Sequence, residues 1–499
     1  MANSLLFCKP CGVSYIPAPI SCLDHVPLEI WQQIFLILLS SETVSALDEI
    51  YGSIWGRATP PIPSQGKLIL PQTPSTISQV CSHWKEYAFG MPDFWNVFFV
   101  KAPRSKSPAS TINLTRLINS RLSLSRSMPL KICINSKEDE EGARTFIRSI
   151  IPSSSRWETV HFHIPPNVLG ELSSLRPTDL PLLTSLKTHI QIYALGTVSV
   201  AQQLKLFEKI PPIRRFCTSY LPPQICHIYA GLEELHIQEN RSETWSTLSV
   251  LAACPKLRVL TLSGVGITLN NASTADLVLP ELHTLNLEHP TGRERLLEMM
   301  QLPKLQALTI GGSCSGESTR SVFSAIITLM DRSKISSLES LSIYFERHFT
   351  DPTLLVSFLS RNPLLKKLRI DDTWKFLNHR PLVTDCLLRA LTLTSIDNDG
   401  LPSVPYLCSQ LQSISLMGCS DFEDGILLAL LNSRCRPTQF SVHKNDSLAQ
   451  SFPVSVNGCR SPATLKEVNI SIKRNFGGQL LEMAESLRLI GLSIDLRRV

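Results

Sequence analysis

A short phrase recurs along the second half of the chain: leucine, two residues, leucine or isoleucine, one residue, then leucine or isoleucine. It reads LEELHI from Leu232, LRVLTL from Leu257, LHTLNL from Leu282, LQALTI from Leu305, LESLSI from Leu338, LKKLRI from Leu365, LRALTL from Leu388 and LQSISL from Leu411. Successive phrases start 23 to 33 residues apart, with one insertion after Leu305. At such a period a single unit cannot bury its own apolar face, so the units must stack on one another.

Successive side chains of a strand point to opposite faces, so the second and third apolar residues of each phrase share one side and their neighbours share the other. A sheet that is dry behind and wet in front results. Helices are expected behind it, and Thr244 to Ala253, Arg293 to Met300, Val322 to Met330, Pro352 to Leu359 and Gly425 to Leu431 carry apolar residues at three- and four-residue spacing. Pro255, Pro280, Pro303 and Pro363 sit just before their phrases, where a fixed φ and a missing N–H end the preceding helix. Phrase and period resemble leucine-rich repeats. The resemblance implies an α/β leucine-rich-repeat solenoid, a curved parallel sheet with helices on the outer face.

A chain of 499 residues is too long for one ordinary core, but a solenoid with a small additional domain accommodates it. The 48 basic and 42 acidic residues include no arginine-lysine block of the sort that binds nucleic acid. The cysteines are scattered, and Cys254, Cys408 and Cys419 occupy repeat positions suited to a small apolar residue, so reduced thiols are expected. The first 22 residues lack the charged start and apolar run of a secretory signal, and no segment reaches the roughly 18 apolar residues of a membrane helix. A cytoplasmic or nuclear protein is expected, in which the Asn-x-Ser/Thr sites at Asn113, Asn271 and Asn469 are chance matches.

Residues 1–22 lack periodicity and read as a flexible tail. From Leu23 to Leu39 the pattern LDHVPLEIWQQIFLILL starts a helix at a proline and sets Ile30, Ile34 and Leu38 on one face. Residues 40–74 hold five prolines and read as a loop with a short helix near Thr43 to Ile50. A second helix is expected from Thr76, with Ile77, Val80, Trp84 and Ala88 on one face, ended by Gly90 and Pro92.

The V-P-L-E-I at Val26 to Ile30, the I-F at Ile34 and Phe35, the V-C-x-x-W at Val80 to Trp84 and the M-P-D-F-W at Met91 to Trp95 together resemble an F-box. The insert of about 35 residues between the two helices departs from the short helical turn of an ordinary F-box; such expanded loops occur in F-box-like proteins of mushroom-forming fungi. Thr115 to Ile134 resembles the helix and first strand that follow the F-box there, and Leu416 to Arg434 resembles the cysteine-containing repeats common in F-box proteins. The expected organisation is a tail at 1–22, a small all-α F-box-like domain at 23–100 and a repeat solenoid at 101–499. Weaker phrases at Trp157, Leu183, Ile213, Pro437 and Leu465 extend the solenoid, and Asp495 to Val499 is read as a charged tail capping its end.

The F-box resemblance implies that Val26, Pro27, Ile30, Ile34, Val80, Trp84 and Trp95 bind a Skp-type adaptor and, through it, a cullin. The plainer reading of the same residues is a core between the two helices, yet so short a unit cannot enclose them all. On the wet face of the sheet, Glu234, His236, Asn286, Tyr344, Lys367, Arg369 and Asp371 are candidates for holding a target protein, in a row that also takes in Gln238, Thr261, Thr284, Thr309, Ser342, Thr392 and Ser415. Any half-open sheet alternates in this way, so the plainer reading is a solvated face. Tyr344, Lys367 and Arg369 are the best anchors, and they favour an acidic or phosphorylated segment only where Asp371 and Asp372 leave them free.

Cys8, Cys11, Cys22 and His25 have spacing that could close a zinc site, but no second matching pair accompanies them, and the assignment is no metal. Gly312-Ser-Cys-Ser-Gly316 centres a cysteine in a strand-to-helix turn, but no histidine and carboxylate accompany Cys314, and a repeat loop is the simpler account. The acidic run from Lys137 to Glu141 reads as a solvated loop. No catalytic motif and no cofactor motif emerges. The expected function is a non-catalytic substrate-recognition subunit of an SCF-type cullin-RING ubiquitin ligase. The alternative is a repeat scaffold that no longer binds the adaptor.

Overall fold

The structure is a computed structural model that describes residues 27, 29–39, 41, 73–101, 108–136, 140–189, 210–219, 226–238, 245–264, 276–288, 292–312, 319–335, 338–345, 352–372, 382–393, 407–419, 422–435, 463–472, 475–489 and 491–498. The chain divides into two compact units, Met1–Trp157 and Glu158–Val499. The helix expected near Thr43 to Ile50, the Pro437 phrase, the Cys314 loop and the four tail residues Cys8, Cys11, Cys22 and His25 lie outside the described residues.

The first unit opens with a helix over residues 29–39 (α1), followed by α2 (Thr73–Ile77) and α3 (Ser82–Gly90). Trp31, Phe35 and Leu39 fall four residues apart on α1 and turn inward, where Phe35 and Leu39 join Ile77, Ala88, Phe94 and Trp95 in one core. Aromatic rings make up most of it: Phe35 lies 5.2 Å from Trp84 and 6.0 Å from Phe94, both edge-on, and Trp31 lies 5.1 Å from Trp84. The single helix expected from Thr76 is two helices. Cys81 adopts an extended conformation (φ −158°, ψ 170°) and its Sγ accepts a hydrogen bond from Trp84 N at 3.4 Å, so it caps α3 and breaks the run from Ile77 to Ala88.

The unit is also not all helical. Val97–Lys101 forms a strand (β1) that pairs in parallel with β2 (Leu130–Asn135), joined by α4 (Pro108–Leu124), and α5 (Glu140–Ile150) packs on α4. VFFVK was missed as a strand because it is a continuous apolar run without alternation, buried along its length through Val100. Arg156 fastens the turn after α4, donating from Nε to Met128 O at 3.0 Å and from Nη2 to Ser125 O at 3.2 Å.

In the second unit the strands run in sequence order, every pair parallel: β3 (Trp157–His163), β4 (Ser185–Thr188), β5 (Arg215–Thr218), β6 (Glu234–Gln238), β7 (Val259–Ser263), β8 (Thr284–Glu288), β9 (Ala307–Gly312), β10 (Ser340–Phe345), β11 (Lys367–Asp371), β12 (Ser413–Cys419), β13 (Glu467–Ile472) and β14 (Ser493–Arg498). Between them lie α6 (Cys226–Tyr229), α7 (Trp245–Ala252), α8 (Arg293–Met299), α9 (Thr319–Ser333), α10 (Pro352–Ser360), α11 (Asp385–Leu391), α12 (Asp424–Cys435) and α13 (Gly478–Leu489). From α8 to α13 each helix packs on the next. Strand leucines such as Leu260, Leu262, Leu285 and Leu287 are fully buried behind the sheet, as the phrase requires. The result is an α/β leucine-rich-repeat solenoid.

One device leads into the strand in repeat after repeat. Leu257 N bonds Cys254 O, Leu282 N bonds Leu279 O, Leu305 N bonds Leu302 O and Leu365 N bonds Asn362 O, at 3.2–3.3 Å. Each closes a four-residue turn with Pro255, Pro280, Pro303 or Pro363 second, the position at which proline's φ is already correct. The prolines therefore build the turn rather than end the helix. The next two amides then share one carbonyl of the preceding repeat: Arg258 N and Val259 N both bond Glu233 O, and His283 N and Thr284 N both bond Arg258 O. This fixes strand register before the ladder begins.

Two phrases are corrected. LRALTL from Leu388 is helix α11, not a strand: Leu387, Leu388 and Leu391 fit a helical face, and Thr384 caps it by accepting from Leu387 N at 3.4 Å. The repeat between β11 and β12 is thus double length. Its added space is closed by Arg434, which is fully buried and donates from Nε to Leu391 O (2.6 Å), from Nη1 to Cys408 O (2.9 Å) and from Nη2 to Leu407 O (2.6 Å). Asp495 to Arg498, read as a tail, lie within β14, in register with β13.

Candidate functional site: two exposed surfaces

With Phe35 and Leu39 buried and Trp31 half-buried on one side of α1, the opposite side is left apolar and open. Ile30, Ile34, Ile37 and Leu38 are 49, 39, 66 and 50% exposed, at the spacing of one helical stripe, and Pro27 just before them is exposed as well. Val80, in the break between α2 and α3, is 57% exposed. Trp84 is half-buried among the rings, and Trp95 belongs to the core: its Nε1 donates to Ala88 O at 2.8 Å and the Arg121 guanidinium lies over its ring at 5.5 Å. Trp95 therefore lies in the core beneath this surface, 5% exposed. Val26 lies outside the described residues.

The second surface is the open face of the repeat sheet. Strand register sets its residues in three rows. The first runs Glu234, Val259, Thr284, Ala307, Ser340, Lys367, Ser413, Glu467. The second runs His236, Thr261, Asn286, Thr309, Ser342, Arg369, Ser415, Asn469, Asp495. The third runs Gln238, Ser263, Glu288, Gly311, Tyr344, Asp371, Met417, Ser471, Arg497. All seven candidate residues lie on it. Thr392 does not, because it ends α11, and Gln238 is buried.

Several members are engaged with one another. Asn286 Nδ2 donates to Thr261 Oγ1 at 3.0 Å, Ser263 Oγ to Glu288 Oε2 at 3.0 Å and Ser413 Oγ to Glu467 Oε2 at 2.9 Å. Glu234 lines a cleft of about 310 Å³ with Glu233, Arg258, Val259 and His283, where the strands begin. Gly311 makes room for Tyr344: a Cβ there would lie 3.3 Å from Tyr344 Cβ. The Arg369 guanidinium sits over the Tyr344 ring at 5.1 Å, its Nη2 is 3.5 Å from Met417 Sδ, and it pairs with Asp371 at 3.8 Å. Asp371 thus offsets the charge of Arg369, while Asp372 is buried, accepting from Leu382 N at 2.9 Å. For Arg369, the condition for an acidic or phosphorylated ligand is not met.

At the other end of this sheet His236 is joined by residues overlooked in the sequence. In register across β3 to β6 stand His161, Lys187, Cys217 and His236, and the rings of His163 and His189 meet edge-on at 4.5 Å. Burial, with the Lys187 charge second, pushes the His236 imidazole down to about 4. The same two causes, with His163 and His189 beside it, hold His161 well below its ordinary value. Burial also pushes the Cys217 thiol up to about 11. The signal was present in WETVHFH and LKTHI, where alternate residues carry basic groups. Among the described residues no group of three or more His, Cys, Asp or Glu is placed to hold a metal ion, and no helix is long and apolar enough to cross a membrane.

No protein family and no curated protein matches this chain. Two complexes are among the solved structures similar to it. The complex of Toll with Spatzle from Drosophila shares 12% identity with a TM-score of 0.29, covering 78% of this chain and 52% of that one. The complex of TLR13 with ssRNA13 shares 13% identity with a TM-score of 0.28, covering 82% and 52%. This chain spans about half the length of each, and likenesses so slight carry no argument; the repeat architecture rests on the phrase and the strand register.

Proposed function

We propose that this protein is a substrate-recognition subunit of an SCF-type cullin-RING ubiquitin ligase, working in the cytoplasm or nucleus. The first unit docks on a Skp-type adaptor and the open face of the repeats holds a target protein. The observation that supports this reading best is the apolar stripe of Pro27, Ile30, Ile34, Ile37 and Leu38, exposed beside a core that already consumes Trp31, Phe35, Trp84 and Trp95. A continuous apolar stripe on an exposed helix face marks a partner surface. The chain's own contribution is positioning and not bond chemistry, since holding a target beside a ubiquitin-carrying enzyme raises the effective concentration of its lysines.

The test is co-purification of the full chain with a Skp-type adaptor. Replacing Pro27 and Ile34 together by alanine is expected to abolish the complex and leave the circular dichroism of the repeats unchanged, because both residues lie on the surface. A double variant that still binds the adaptor removes the reading. If the intact, folded chain binds no adaptor, the protein is a repeat scaffold and the sheet face is its working surface.

A further inference from the structure

Arg369 is an arginine with too few partners. Its Nε is shielded from water and has no hydrogen-bond acceptor among the described residues. Among the described residues its guanidinium is held by a ring face, a thioether and an ion pair at 3.8 Å, none of which uses its donors well. Two strands away in the same row, Asn469 Oδ1 is likewise shielded and has no donor among the described residues. Leaving a buried polar atom unpaired costs about 1–3 kcal/mol. One such atom on a sheet surface is ordinary; an unmet donor and an unmet acceptor in one row, with the Ser415 hydroxyl between them, form a pattern.

We infer that β11 to β13 hold an extended polypeptide segment through its main chain, a carbonyl accepting from Arg369 and an amide N–H donating to Asn469. This rests on the reading of the sheet face as the target-docking surface and names what that surface takes. Two inter-strand spacings separate the two groups by roughly 10 Å, and an extended chain covers that in about three residues at ~3.3 Å each. Charge favours a neutral ligand. Arg369 is offset by Asp371 and Arg497 by Asp495, while Lys367 has Glu467 in its own row. A phosphate would meet no net positive field here, whereas a peptide amide needs none. The Arg369 side chain is 42% exposed and weakly held, so turning it outward to meet a carbonyl disturbs no strong contact.

Selection of random dodecapeptides displayed on phage against the full-length chain tests this. Retained peptides, resynthesised with both ends capped, are expected to lack an Asp or Glu consensus. Their affinity should fall about tenfold for Arg369→Gln and for Asn469→Leu. Replacing one peptide amide by an ester should weaken binding to the unaltered chain but not to Asn469→Leu, a difference that misfolding cannot produce. Three results overturn the inference. An acidic consensus whose amidation abolishes binding assigns Arg369 to a side-chain carboxylate. Binding indifferent to both substitutions but lost on Thr309→Arg places the segment elsewhere on the face, and the docking reading survives. Retention of no peptide ends the main-chain site and leaves the adaptor complex to be judged by its own test.

Discussion

Two residues show how the fold spends its buried charge. Arg434 is a buried cation inside the double-length repeat, and its three donors reach the carbonyls of Leu391, Cys408 and Leu407, the second of which also accepts from Leu411 N at 3.0 Å. Burial brings it down to about 10, so it remains charged at neutral pH. Arg434→Met keeps the apolar stem and removes all three bonds; unfolding in urea is expected to show a loss of about 3 kcal/mol or more. His236 does the reverse and stays neutral. Its folded value near 4 lies below an unfolded value of about 6.5, so the unfolded chain takes up the proton first. Stability is therefore unaffected above pH 6.5 and lost as pH falls toward 4, by about 3 kcal/mol in total; His161 adds in the same direction. Denaturation midpoints measured from pH 7.5 to 4.5 check this, and His236→Gln should flatten the slope.

At the scale of elements, what was legible depended on whether a periodicity had one meaning. α7, α8, α9, α10 and α12 lie where three- and four-residue apolar spacing put them, because apolar residues in those segments do not alternate as a half-buried strand requires. LRALTL has two meanings: leucines at i and i+3 serve a strand phrase and a helix face equally, and only Thr384 at the cap separates them. The open-face rows followed from alternation alone, so the positions of Tyr344 and Arg369 could be read, but their contacts could not. Trp95 was misassigned because nothing in its composition reveals that Ala88 O lies ready for its Nε1. The break before α3 was hidden for a similar reason, since a cysteine is an uncommon helix cap. That gives a prediction: serine is a stronger cap than a thiol, and Cys81 is exposed. Cys81→Ser should stabilise the first unit by about 0.5–1 kcal/mol, seen as a higher melting temperature, while Cys81→Ala should lower it.

For the whole molecule, the decisive fact about the second unit is that, among the described residues, each strand of its large sheet pairs with the strand before it and the strand after it in that sheet; Leu277–Val278 and Met300–Gln301 form a separate short pair. Leu260, Leu285 and Leu308 occupy the same position in β7, β8 and β9 and are buried to 2% exposure or less. Each packs within its own repeat and against the next, so stability is a chain of neighbour terms and not a property of one shared core. Leu285→Ala opens a cavity worth about 3 kcal/mol in the middle of that chain. Hydrogen exchange should then quicken most in β7 to β9 and progressively less toward β3 and β14, because a defect is felt through intervening repeats only by way of their interfaces. Phe35→Ala is the comparison, a cavity of similar cost in the aromatic core of the first unit. It should quicken exchange in α1, α3 and α4 and leave β7 to β9 at their original rates. Equal acceleration in every strand on Leu285→Ala would mean that the repeats unfold as one block, and the neighbour-by-neighbour account would be wrong.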